Sequence, residues 1–230
     1  MDFSDINWGT IIIRFAVLLF SLSIHEAAHA WMADRRGDYT ARYMGRVSLN
    51  PVVHIDPIGT IVFPLMSFIM GFPLIGWAKP VPVNPMHLKD PARDHILISL
   101  AGPASNLIAC ACALSILLFM KWFVTGADSV IITMAFRMDV AGVESIIAPI
   151  VVILFWMMFI NLLLAIFNLL PIPPLDGHWV VAGLLPPAAS ESFQRIGAYG
   201  IFILYGLMFL GIFRILMIPI NWLRMLLIVA

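Results

Sequence analysis

The amino-acid sequence predicts an all-α polytopic membrane protein with about four to six transmembrane or re-entrant helices and short β-like segments within or beside the membrane. Composition is the first observation behind this prediction: 62% of the 230 residues are apolar, 11% are charged, and the mean hydropathy is +1.00. Soluble domains carry about 25% charged residues, so an ordinary soluble enzyme is excluded. The second observation is that the apolar residues form runs of about 20, the length that crosses a bilayer. The 13 basic and 13 acidic residues balance, which indicates no nucleic-acid partner.

The first two apolar runs differ in kind. The run at about 9–33 is continuous and stops at a charged stretch, 34–38. It is too long for the apolar region of a signal peptide and predicts a retained membrane helix. The run at about 58–78 is interrupted by prolines and glycines, which weaken the prediction of a straight spanning helix.

Three longer segments and one short segment follow. The run 95–123 is long enough to span, and 145–170 is strongly apolar and ends at a cluster of prolines. The short segment 176–185 comes next. The last run, 197–218, ends at Pro219 and is followed by an apolar tail that either completes a span or lies at the interface.

Loop charges predict the orientation of these runs. Seven Lys and Arg residues lie in 34–94 and one lies in 124–144, so by the positive-inside rule the former region is cytoplasmic and the latter external. Both flanks of 58–78 then face the cytoplasm, and this run is predicted to be re-entrant. Because the rule is statistical, an ordinary crossing helix at 58–78 is the alternative.

The first predicted helix contains a pattern that binds metals. His25 and His29 are four residues apart and lie on one helical face, and Glu26 stands beside the first of them. Two such imidazoles hold a zinc ion, and the glutamate takes a proton from water beside it. Each ionisable group within a bilayer costs roughly 2.5–3.5 kcal/mol on insertion scales. A bound divalent cation, Zn²⁺, compensates all three, and Glu26 is the predicted general base.

A third ligand is expected because catalytic zinc commonly has three protein ligands. Asp176 is the strongest candidate, since the predicted crossings bring it to the same depth as the two histidines. An N-cap role is its structural alternative, and His54 is the alternative ligand. His54 is otherwise expected to order its loop or to approach the substrate.

Two asparagines are candidate substrate contacts. Asn168 precedes the proline cluster by a few residues and is predicted to hydrogen-bond substrate or a developing oxyanion. Asn106 has the same potential chemistry, but hydrogen bonding between helices is the favoured interpretation for it.

Taken together, these motifs resemble the site-2 protease family of intramembrane zinc metalloproteases, in its compact prokaryotic branch. The resemblance covers nearly the whole chain and is carried by His25–His29, Gly45–Pro51, Gly76–Pro85, Ala101–Asn106 and Asn168–Gly177. It implies that His25, His29 and Asp176 bind zinc, that Glu26 is the general base, and that Asn168 contacts substrate.

The resemblance also implies the setting of the reaction. The expected substrate is a transmembrane protein within the lipid bilayer. The expected location is the prokaryotic inner membrane, with the active site toward the cytoplasm. Residues 1–230 are predicted to form a single membrane metalloprotease domain without the PDZ or CBS modules of better-known members. The sequence indicates no oligomeric state.

Two rival functions are also compatible with the sequence. One is a membrane metal-binding or metal-transport protein, because intramembrane His and acidic residues also mark ion pathways. The other is a pseudoprotease that binds transmembrane helices without cutting them. Glu26 favours hydrolysis, since a transporter has no need for a base. The segments 45–51 and 79–85 are predicted to form strands that pair with an unwound substrate.

Overall fold

The computed structural model describes residues 8–70, 76–140 and 142–230, and its regular structure there is helical. Short 3₁₀ turns lie at Pro51–His54, Pro85–His87 and Ile196–Tyr199, and a π-helical turn lies at Pro57–Val62. The α-helices are α1 (Trp8–Arg36), α2 (Thr40–Tyr43), α3 (Phe63–Met70), α4 (Pro91–Phe123), α5 (Ala127–Arg137), α6 (Ala148–Asn168), α7 (Asp176–Leu184), α8 (Pro187–Arg195), α9 (Gly200–Phe209) and α10 (Ile212–Val229).

Helices α1, α4 and α6 are each long and apolar enough to cross a membrane. The Arg36 Nε donates to Asp94 Oδ1 over 2.6 Å, so the end of α1 meets the start of α4 and the two helices are antiparallel. The Arg14 guanidinium lies 4.0 Å from the centre of the Trp156 ring, so the first half of α1 meets the first half of α6. Helices α1 and α6 therefore run in one direction and α4 in the other, as the sequence predicts.

The segment from Pro57 enters the fold and returns at the same end. Asp56 starts it by accepting hydrogen bonds from two backbone N–H groups. Its six π-helical and eight α-helical residues span about 21 Å, less than the roughly 30 Å of a bilayer core. The Trp77 N–H donates to the Gly59 carbonyl over 3.0 Å, which closes the loop. Residues 71–75 lie outside the described residues, but the flanking contacts have the re-entrant arrangement that the loop charges predict.

The C-terminal helices differ from the prediction of one run at 197–218. Helices α9 and α10 meet at a bend of 64°, and the break falls at Gly211, whose φ of +86° favours glycine. Pro219 lies within α10 instead of ending it. The Lys121 Nζ donates to the Leu227 carbonyl over 2.7 Å, so α10 ends beside the end of α4. The bent pair is a candidate fourth crossing.

Neither predicted β-like segment forms a strand in the described part of the chain. Residues 79–84 belong to no helix or strand, and Pro80 and Pro82 lack the N–H donors of a strand ladder. Their far end is fixed by Asp38, whose Oδ2 accepts from the Asn84 N–H over 2.7 Å. Between its two fixed ends, the segment contributes Val81 and Val83 to the wall of a cavity.

Candidate metal centre and surrounding cavity

Three potential metal ligands converge where α1 meets the start of α7. His25 and His29 lie one turn apart on α1, and Asp176 is the first residue of α7. The His25 and His29 Nε2 atoms are 3.0 Å apart. They lie 3.1 Å and 3.3 Å from the two Asp176 carboxylate oxygens. Across the described residues, this is the one group of three or more such side chains that could hold a metal ion.

The Nδ1 atom of each imidazole, on the ring edge away from Asp176, has a hydrogen-bond partner within the protein. The His29 Nδ1 lies 2.7 Å from the Ile98 carbonyl oxygen, and the His25 Nδ1 lies 2.5 Å from Asn106 Oδ1. Both partners are oxygen acceptors, so each Nδ1 carries a hydrogen and donates it. In a neutral ring, the Nε2 atom then presents a lone pair. This arrangement is typical of histidines that bind a metal.

The donor set fits a zinc ion. Two imidazole Nε2 atoms and a carboxylate face one another, an arrangement that a cation bound between them stabilises. Asp176 Oδ2 is buried and has no hydrogen-bond partner. Tetrahedral ligands 2.0–2.2 Å from zinc lie about 3.3–3.6 Å apart, close to the separations observed here. Two imidazoles and one carboxylate form a common catalytic zinc set.

A cavity of about 320 Å³ surrounds these ligands. Glu26 and Asn168 line it, and Glu26 is 9% exposed. The Asn168 Nδ2 donates to the Leu164 carbonyl over 2.9 Å. The remaining wall is largely apolar and aromatic and includes Leu22, Trp77, Val81, Val83, Phe167 and Trp179. The cavity therefore combines a candidate metal site, a buried carboxylate and an apolar lining.

Two predicted candidates lie outside this cavity lining. His54 is 2% exposed, and its Nε2 donates to the Ser48 carbonyl over 2.8 Å. Burial is the largest influence on the pKa of His54 and lowers it, with the nearby Arg46 guanidinium acting in the same direction. This position fits loop ordering, not contact with substrate. Asn106 is fully buried between helices and contacts His25, which fits the interhelical interpretation.

Three residues near the site were missed as functional candidates by sequence reasoning. Gly102 lies so close to the imidazoles that an added Cβ would be 2.4 Å from His29 Nε2. Asn161 is fully buried and hydrogen-bonds Asn106. The guanidinium of Arg46, which is 4% exposed, donates to the carbonyls of Val53, Lys79 and Pro80. For Asn161, the available signal was an amide within an otherwise apolar run.

Asp38 holds the segment 79–84, which lines the cavity, at its Asn84 end. Burial alone would raise the pKa of Asp38, but hydrogen bonds from the Thr40 hydroxyl and from backbone N–H groups of Asn84 and Thr40 lower it below its usual value. His87 also lies 3.1 Å from the Asp38 carboxylate. The carboxylate therefore stays ionised and ties the segment to the end of α1.

The fold and site together describe a helical membrane protein with a candidate metal centre of the kind found in hydrolases. Residues 13–211 match the family described as Peptidase family M50. The chain is 37% identical over 192 residues to the predicted zinc metalloprotease YwhC of Bacillus subtilis, covering 84% of this chain and 77% of that protein. It is 29% identical over 187 residues to the predicted zinc metalloprotease Rip2 of Mycolicibacterium smegmatis, covering 81% of this chain and 61% of Rip2. The match thus spans less than two thirds of the length of Rip2. No solved structure matches the chain.

The family match covers most of the chain and confirms the resemblance to site-2 proteases. The chain belongs to the M50 peptidase family. It is an intramembrane zinc-dependent metalloendopeptidase.

Proposed function

We propose that His25, His29 and Asp176 hold the zinc ion and that Glu26 is the general base for cleavage of transmembrane protein substrates. One observation carries this assignment: three side chains converge beside the Glu26 carboxylate on one cavity, and each pair of them has ligand atoms 3.0–3.3 Å apart. A metal cation stabilises this arrangement. The adjacent Glu26 carboxylate supplies a proton acceptor, which a purely structural metal site does not require.

The chain's own residues account for the proton movements of hydrolysis. When bound, zinc polarises the substrate carbonyl and makes water more acidic. Glu26 accepts the proton released as water attacks that carbonyl and returns it to the leaving amine. Both steps occur in a cavity with largely apolar walls, where a carboxylate interacts strongly with nearby charge.

The substrate reaches this site as an extended strand. A helical peptide bond is shielded by its own side chains, so the substrate must unwind locally. The segment 79–84 lies outside helices and strands and contributes Val81 and Val83 to the cavity wall. We assign it the role of aligning the unwound substrate through backbone hydrogen bonds. Asn168 contributes a further hydrogen bond to the substrate.

The setting of the reaction follows from the loop charges. The basic loops next to the site support an orientation toward the cytoplasm, in a prokaryotic cell membrane, and the role assigned to the protein there is regulated intramembrane proteolysis. Residues 1–230 act as one membrane domain.

A cleavage assay tests the assignment. Purified protein is reconstituted with a single-span model substrate and compared with Glu26→Gln and with protein treated with a chelator. Cleavage by the native protein only, restored after chelation by added zinc, supports the proposal. Zinc flux across vesicles without cleavage would establish the transport alternative. Substrate binding without cleavage by the native protein would identify a pseudoprotease.

A further inference from the structure

A chain of buried polar side chains connects the three principal spans behind the metal site. Ser21 on α1, Asn106 on α4 and Asn161 on α6 are each 0% exposed. The Asn106 Nδ2 donates to Asn161 Oδ1 over 2.7 Å and to the Ser21 carbonyl over 3.2 Å. The Asn161 Nδ2 donates to the Ser21 hydroxyl over 2.9 Å and to the Met157 carbonyl over 2.8 Å. The chain ends on the candidate ligand His25, whose Nδ1 contacts Asn106 Oδ1.

Two backbone carbonyls fix the orientation of both asparagine amides in this group of buried side chains. A carbonyl can only accept, so the Ser21 carbonyl requires the NH₂ group of Asn106 and turns its Oδ1 toward His25. The Met157 carbonyl likewise requires the NH₂ group of Asn161 and turns its Oδ1 toward Asn106. Rotating either amide by half a turn would place acceptor against acceptor. Neither amide can therefore reverse without losing buried hydrogen bonds.

We propose that Asn106 and Asn161 form a directed relay that holds His25 in the tautomer whose Nε2 faces the metal. Asn106 supplies the acceptor for the His25 Nδ1–H, and Asn161 holds Asn106 in the orientation that supplies it. Both are positioning residues, and the oxygen and NH₂ group of Asn106 are already engaged within the protein. The relay thus assigns Asn106 to the metal site and not to the substrate.

This inference rests on the proposed zinc site, and zinc affinity measured by chelator competition tests it. Asn106→Leu is expected to weaken zinc binding about 10- to 100-fold, the range typical for partners that orient a metal ligand. Asn161→Leu leaves the Asn106–His25 contact in place and is expected to weaken zinc binding about tenfold. Because both act through His25, the double variant should match Asn106→Leu within about twofold.

Two comparison variants separate the possible failures. Ser23→Ala is the matched control, because Ser23 is 1% exposed on α1 and its hydroxyl donates to its own helix at Leu19. Its zinc affinity should stay native. His25→Ala should lose zinc. Retention of zinc by His25→Ala would overturn the proposed site itself, whereas loss by His25→Ala with native affinity in both Asn variants would overturn the relay alone.

Nuclear magnetic resonance of histidine-labelled, zinc-loaded protein distinguishes a local effect on His25 from nonspecific destabilisation of the fold. The His25 Nδ1–H signal should shift or exchange rapidly in Asn106→Leu. The His29 Nδ1–H signal should persist, because the Ile98 carbonyl holds it independently. Equal changes at both histidines, or a native His25 signal, would overturn the relay. If Asn106→Leu does not fold, the milder Asn161→Leu carries the same comparison.

Discussion

Glu26 is the residue whose replacement separates metal binding from peptide hydrolysis. Glu26→Gln keeps the size and helix propensity of the side chain but removes the proton acceptor. Zinc content should stay native, because Glu26 is not one of the three converging ligands. Proteolysis should fall at least about a hundredfold, as expected for loss of a general base. Native activity in Glu26→Gln would contradict the proposed mechanism.

Asp176 and His54 were the two candidate third ligands, and their surroundings differ sharply. Asp176 Oδ1 lies 3.3 Å from His29 Nε2, whereas His54 Nε2 donates to the Ser48 carbonyl. Purified protein should hold about one zinc per chain. Metal analysis should show that Asp176→Ala loses most of it and His54→Ala keeps it. The reverse pattern would disprove the ligand assignment.

Gly102 is required by the close approach of α4 to the imidazoles. In most helices, Gly→Ala is stabilising by roughly 0.5–1 kcal/mol. At this position the new Cβ would lie 2.4 Å from His29 Nε2, so the ring must move. Gly102→Ala should therefore weaken zinc affinity measured by chelator competition. Gly206→Ala is the matched control, because its Cβ would meet nothing within 4 Å. Equal zinc affinity in the two variants would contradict this steric argument.

Candidate metal ligands could be predicted from the sequence where they lie a few residues apart on one helix. The spacing of His25 and His29 places both on one helical face, and a crossing argument favoured Asp176, which the structure brings to within 3.3 Å of both imidazoles. The Asn106–Asn161 contact was not predictable. It joins residues 55 apart on two helices, and its geometry depends on how those helices pack.

At the scale of elements, Arg46 connects the turn at Pro51–His54 to the segment 79–84, which lines the cavity. Its guanidinium donates to the carbonyls of Val53, Lys79 and Pro80. A lysine ammonium cannot reproduce this planar set of donors. Arg46→Lys should therefore shift the segment and reduce cleavage of a model substrate about tenfold to a hundredfold, the effect of a displacement near 1 Å. Zinc content should stay native.

Arg195→Lys is the control for this experiment. Arg195 is largely exposed, and its ion pair with Glu191 lies within one helix. Cleavage by Arg195→Lys should be native. If Arg46→Lys also cleaves at the native rate, the segment at 79–84 does not depend on Arg46 for its position.

The elements themselves were predictable to different degrees. Long apolar runs gave α1, α4 and α6, because length and hydropathy alone specify a span. Loop charge predicted a re-entrant run at 58–78, and the short helix there and the Trp77–Gly59 contact fit that prediction. Helix α5 and the bend at Gly211 were missed, since α5 is short and a glycine in an apolar run does not reveal its φ angle.

At the scale of the whole molecule, the directions of the spans decide whether the ligands can meet. Helices α1 and α6 run in parallel, so His25 in the second half of α1 and Asp176, which follows α6, reach the same level. An additional crossing between α1 and α4 would place Asp176 across the membrane from the histidines. The re-entrant loop is thus a condition for the metal site.

Cysteine labelling in intact cells tests this topology. With the exposed Cys112 first replaced by serine, single cysteines are placed at the exposed positions Tyr43, Lys89 and Asp128. An impermeant maleimide should label Asp128→Cys from outside and should reach Tyr43→Cys and Lys89→Cys only after the cells are opened. The reason is that residues 43 and 89 lie on either side of the re-entrant loop, in the region that carries seven of the basic residues. Labelling of Tyr43→Cys and Lys89→Cys from opposite sides would require a full crossing between them. His25 and Asp176 would then lie at opposite membrane faces, and the zinc site proposed here would be impossible.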